Sequence, residues 1–141
     1  MKLRWKLLAL PGILKKEPKN GLLILVEPGK LGVFPNAPRV YYIISSEKSV
    51  RGGHYHPQGG KQEILICLQG EIEVKLHSQE ACGSVMLSSP DKGVFIPCEV
   101  WHEVHMDPGA ILLSLASTEF DFEESIEVLP FPCQCGKLTG E

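Results

Sequence analysis

The sequence predicts an all-β sandwich or barrel, and three observations carry that expectation. Short runs of β-branched and aromatic residues recur along the chain, separated by proline- and glycine-containing turn signals. Glu71 to Leu76 alternates cleanly, with Ile72, Val74 and Leu76 on one face and Glu71, Glu73 and Lys75 on the other. Only Thr118 to Val128, rich in acidic residues, offers a short helix.

Met1 to Gly12 has a short apolar stretch broken by Pro11 and Gly12 and followed by Lys15 and Lys16, so it reads as a first strand rather than a targeting segment. Lys15 to Asn20 is polar and ends in a turn; Gly21 to Glu27 is the second strand, stopped by Pro28 and Gly29. Arg39 to Ile44 is β-branched and aromatic throughout. Ser45 to Val50 is a polar loop. Strands then follow at Ser84–Leu87, Gly93–Ile96, Trp101–Met106 and Ala110–Ala116, punctuated by Pro90, Pro97 and the Asp107-Pro108-Gly109 turn.

A chain of 141 residues with 43% hydrophobic content is expected to form one domain, 1–128, with a tail at 129–141. Its net charge of −3 and lack of a basic cluster argue against nucleic acid or an anionic membrane as partner, and no run is long enough to span a bilayer. The five cysteines are odd in number, and Cys67 lies inside an apolar strand, which favours a reducing cytoplasm. Cys133 and Cys135 are expected to be thiols on a loose tail.

The most informative stretch is Arg51 to Gly70. His54 and His56 are two apart, so in a strand they share a face. Pro57 to Gly60 is a strong turn, and Glu63 to Leu68 is an apolar strand after it. A hairpin is the expected result, with Glu63 opposite the two histidines. The strand is apolar on both faces: Leu65 and Cys67 share the face of Glu63, while Ile64, Ile66 and Leu68 occupy the other. Covering both faces predicts a homodimer that buries part of the outer sheet. His105 is expected to be structural or solvent-facing, His77 to be solvated, and Trp101 to be a packing residue.

Taken with Gly93 to His105, this stretch resembles the cupin family. The H-x-H pair matches His54 and His56, the glutamate before a glycine matches Glu63 and Gly70, and the later P…H pattern matches Pro97 and His102. Glu99 stands where the family has a glycine, and the loop between His56 and Glu63 is slightly long. The resemblance implies a double-stranded β-helix, or jelly roll, with the site inside an open-ended barrel. A closer resemblance, over about residues 18 to 125, is to the sugar-nucleotide 3,4-ketoisomerase branch that acts on TDP-4-keto-6-deoxyglucose. It rests on ordered blocks that include Arg39 to Ile43, Arg51 to His56, Cys67 to Gly70 and Val100 to His105.

That branch implies proton transfer by His54 and His56 through an enediol, in deoxysugar and polysaccharide biosynthesis, with Arg39, Tyr42 and Arg51 holding the nucleotide sugar and no cofactor required. Imidazole suits such work because it takes and gives protons near neutrality, and arginine's planar fork suits phosphate. The chain departs from the branch at Gln62-Glu63, where the branch has Glu-Gln, and at His-Tyr-His-Pro, where it has H-A-H-K. The carboxylate completes a His54, His56, Glu63 and His102 set suited to Fe(II), Mn(II), Ni(II) or Zn(II). A metal-dependent cupin enzyme is therefore the second reading, and a sugar-binding cupin without activity the third.

Overall fold

The computed structural model describes residues 5–8, 13–16, 21–121, 126–127 and 129–132. Eleven strands are present among them: β1 (Lys6–Leu8), β2 (Ile13–Lys16), β3 (Leu23–Val26), β4 (Arg39–Ile44), β5 (Ser49–His54), β6 (Glu63–Gln69), β7 (Ile72–His77), β8 (Cys82–Leu87), β9 (Gly93–Ile96), β10 (Trp101–Met106) and β11 (Ile111–Ala116). A single 3-10 turn, Pro28–Lys30, follows β3 at the Pro28-Gly29 break. The expected all-β jelly roll is present. Two antiparallel sheets face each other, ordered β1-β9-β6-β11-β4 and β5-β10-β7-β8, and β2 and β3 form a separate ribbon.

Alternation decides which side chains meet between the sheets. From the five-stranded sheet come Leu65, Cys67, Val94, Ile96 and Leu112; from the four-stranded sheet come Ile72, Val74, Leu76, Val104 and Met106. The strand expected at Glu71 to Leu76 has this pattern, with its three apolar residues fully buried. A second cluster lies on the opposite side of β6, where Leu31 and Phe34 cover Ile64, Ile66, Phe95 and Leu115. The apolar outer face of β6, expected to need a second subunit, is thus largely covered by the chain's own 31–34 segment; Leu68 remains exposed.

Four expectations are corrected. Residues 51–69 do not form a hairpin. The turn exists, with the Gly60 N–H donating to the Pro57 carbonyl at 2.9 Å, but β5 pairs with β10 while β6 pairs with β9 and β11. The turn carries the chain from one sheet to the other, so Glu63 approaches the histidines across the barrel rather than along a shared ladder. Lys15 and Lys16, expected in the polar link between the first two strands, lie in β2, paired with Ile24 and Leu23. The stretch from Thr118 is not helical in its described residues; Ile126 exchanges backbone hydrogen bonds with Tyr55 in strand fashion. His77 is buried rather than solvated, between Cys82 and the Trp101 ring.

Of the expected tail, Leu129 is buried and the Phe131 ring stands 5.8 Å from that of Tyr55. Cys133 and Cys135 lie outside the described residues. Among the described residues, no helix is long and apolar enough to cross a membrane.

Candidate active site

His54 ends β5 opposite His102 of β10, where a register shift separates His102 from Glu103. Glycine at position 52 makes this junction possible. Its φ is +85°, and a side chain there would stand 3.1 Å from the His102 carbonyl oxygen. A second left-handed residue buttresses the site from the other side. Glu99, at the family's glycine position, has φ of +66°, and its N–H donates to the His56 carbonyl at 2.7 Å. That backbone position favours glycine, so the glutamate holds it at some cost in strain.

A cavity of about 420 Å³ opens between the sheets, lined by His54, Lys61, His102, Tyr41, Arg39 and Arg51 among others. The volume falls in the range of small-molecule sites. His56 is not among the lining residues. It is 3% exposed, with its ring 6.4 Å from that of His54 and 6.3 Å from that of His102. Tyr42, expected at the sugar, is 67% exposed and on the outer face of β4. Alternation along β4 sends Arg39, Tyr41 and Ile43 inward, so Tyr41 lines the cavity in its place.

Glu63 anchors the floor of the site at 1% exposure. Its Oε1 is 2.8 Å from His102 Nε2, and its Oε2 accepts from the Tyr41 hydroxyl at 2.9 Å and the Ser114 hydroxyl at 2.8 Å. The Lys61 ammonium is 3.5 Å from Oε2. Burial by itself would raise the pKa of Glu63. The hydrogen bond and charge of His102, the charge of Lys61 and the Ser114 hydroxyl outweigh it, and hold the carboxyl well below the usual range. The Tyr41 phenol is pushed far up by burial and by the Glu63 charge, so it stays a donor. His54 is shifted down, first by burial and then by the charges of His102 and Lys61, against the opposing pull of Glu127 and Glu63.

The donor set does not fit the metal expected of His54, His56, Glu63 and His102. Both Glu63 oxygens are engaged by protein groups, and the Nε2 of His102 faces one of them. Among the described residues, no cluster of three or more His, Cys, Asp or Glu has metal-ligating geometry.

Sequence reasoning missed Lys61 and Ser114. Both carried a signal. Lys61 is two residues before Glu63 and so shares its face in an extended chain, and Ser114 is a polar residue inside the apolar run Leu112 to Leu115.

Two facing sheets around a cavity lined by histidines, arginines and a lysine are the architecture of the cupin-type isomerases to which the chain is similar. A 3,4-ketoisomerase from Helicobacter canadensis has the same fold, with a TM-score of 0.78 and 30% identity, covering 89% of this chain and 92% of that one. QdtA, a sugar 3,4-ketoisomerase from Thermoanaerobacterium thermosaccharolyticum solved with TDP, gives 0.78 at 29% identity over 90% of each chain. The TDP-4-oxo-6-deoxy-α-D-glucose-3,4-oxoisomerase of Aneurinibacillus thermoaerophilus is 32% identical over 104 residues, 72% of this chain and 73% of that protein. The family model described as "FdtA: WxcM-like, C-terminal" matches residues 4–128, and the chain belongs to that family.

Proposed function

We propose that this protein is a nucleotide-linked 4-keto-6-deoxyhexose 3,4-ketoisomerase that acts on a TDP sugar in deoxysugar biosynthesis. The observation that carries the reading is His54: a half-buried imidazole on the cavity wall, shifted toward its neutral form, is a ready base at neutral pH. The TDP bound to QdtA and the name of the Aneurinibacillus relative supply the substrate class.

In this reading Arg39 and Arg51, both on the cavity, hold the phosphates. His54 removes the C3 proton; the C3–H electron pair becomes the C3–C4 double bond, and the carbonyl pair moves onto the C4 oxygen. The C3 hydroxyl proton passes to the C4 oxygen. C4 then takes a proton and the carbonyl re-forms at C3. His102 is the imidazole that shares the cavity with His54; its Nε2 is held by Glu63 Oε1, so Nδ1 is the nitrogen assigned to donate to C4. His56, expected beside His54 as a proton carrier, is assigned to packing behind both rings. No step draws on a metal or other cofactor. Among the described residues, Cys67, Cys82 and Cys98 are thiols rather than disulfides, in accord with a reducing cytoplasm.

The test is incubation with TDP-4-keto-6-deoxyglucose in deuterated water after dialysis against a chelator. A 3-keto product labelled at C4, and recovered substrate labelled at C3, are expected. Binding of the nucleotide sugar with neither label nor product would mark a sugar-binding cupin. Turnover restored only by added Fe(II), Mn(II), Ni(II) or Zn(II) would return the metal reading.

A further inference from the structure

Lysine is almost never buried unless its charge is paired, yet Lys61 is 7% exposed. It lies in the link that enters β6, and it lines the same cavity as His54 and His102. Its Nζ is 3.5 Å from Glu63 Oε2 and 5.7 Å from the centre of the Tyr41 ring. Glu63 alone does not call for this cation, because its two oxygens already meet His102, Tyr41 and Ser114 at 2.8 to 2.9 Å. The lysine's charge also reaches the site of proton removal, where it disfavours a proton on His54.

The proposed reaction needs a cation at this place. When the C3 proton leaves, negative charge appears on the C4 oxygen, and it passes to the C3 oxygen before C4 is protonated. A fixed charge on the cavity wall stabilises such an anion more than water does, because it is already oriented. We propose that Lys61 is a further catalytic residue, whose ammonium contacts the sugar oxygens and holds the enediolate charge between the two proton transfers. The inference rests on the ketoisomerase reading. Lys61 neither gives nor takes a proton in these steps, so the atoms of the isomerisation balance without it.

The test compares wild type, Lys61→Met, Lys61→Arg, Glu63→Gln and the double variant Lys61→Met/Glu63→Gln. Turnover and C3 deuterium exchange on TDP-4-keto-6-deoxyglucose are read together with the Kd for TDP. Lys61→Met is expected to lose roughly a hundredfold or more in kcat and in exchange, the range for a lost donor to a developing oxyanion. TDP affinity is expected to be unchanged, and Lys61→Arg to recover part of the loss. The double variant removes both members of the buried pair, so it leaves no unpaired charge if Lys61→Met fails to fold. It is expected to stay as far below Glu63→Gln as Lys61→Met is below wild type. A double variant as fast as Glu63→Gln would show that Lys61 merely balances Glu63, and would overturn the proposal; so would a Lys61→Met enzyme with wild-type turnover. A wild type that binds TDP yet turns over no TDP-4-ketohexose would instead overturn the ketoisomerase reading, and this inference with it.

Discussion

Glu63 Oε1 lies 2.8 Å from His102 Nε2, and the two side chains reach each other from opposite sheets, Glu63 from β6 and His102 from β10. The contact ties the two layers together at the place where the cavity begins. Both side chains are nearly inaccessible to water, at 2% and 5% exposure, so neither end of the pair can be lost without stranding polar groups.

Removing Glu63 therefore affects stability as well as chemistry. Glu63→Ala leaves the Lys61 charge buried beside Tyr41 and His102, and is expected to cost about 3 kcal/mol or more in urea denaturation. Glu63→Gln keeps an acceptor for Tyr41 and Ser114 and costs less. The pH dependence has a definite sign. A carboxyl held below its ordinary range in the folded state contributes stability that is fully present above the unfolded pKa and is lost as pH falls toward the folded one. The gap in unfolding free energy between wild type and Glu63→Gln should thus be widest at neutral pH and should narrow in acid. An equal gap at both ends would mean that the ionised form of Glu63 contributes nothing.

If His54 is the base, it sets the pH dependence of the reaction. The groups that act on it are His102 from β10, Lys61 from the link into β6, Glu63 from β6, and Glu127. Burial and the two cationic groups outweigh the carboxylates. The base is active when neutral, so kcat/KM should be level at neutral pH and decline only below the ordinary imidazole value of about 6.5. A decline already complete at neutral pH would place the essential base elsewhere.

Strands were the most legible part of the sequence. Arg39–Ile44, Gly93–Ile96 and Trp101–Met106 stand where composition and turn signals put them. Pairing was less legible, because Pro57 to Gly60 announces a turn without saying whether the chain returns to the same sheet or crosses to the other one. The site was legible in its histidines and in Glu63. Of the two tyrosines on β4, alternation allows either to face inward; the choice follows from Tyr41 standing opposite Ser114 on β11, on the face that carries Glu63. The spacing of Lys61 from Glu63 was outweighed by its context, because a lysine beside two glycines reads as a solvated loop and the crossing between sheets is what buries it.

Association is the next test. Val40, Tyr42 and Ile44 alternate outward on edge strand β4 with 56%, 67% and 64% exposure. Such an apolar edge favours pairing with another chain. We propose that this face takes part in a homodimer. Light scattering should give twice the chain mass at micromolar concentration, and Tyr42→Asp with Ile44→Asp should give monomers. A wild-type monomer would sink the idea.

The separate parts of His54 and His102 can be read from where deuterium goes. If His54 is the base, His54→Asn forms no enediolate, so product formation and C3 exchange fall together, by roughly a hundred- to ten-thousandfold. If His102 delivers the proton to C4, His102→Asn still permits His54 to act: C3 exchange persists, while product is lost because the intermediate collapses back to substrate. His56 is buried behind both rings and lines no part of the cavity, so His56→Asn should cost less than either. TDP affinity should survive all three changes, because Arg39 and Arg51, the residues proposed to hold the phosphates, are untouched. Equal loss of exchange in His54→Asn and His102→Asn would contradict the division, since both groups would then be needed before the enediolate forms. Loss confined to His56→Asn would return the proton transfer to His56.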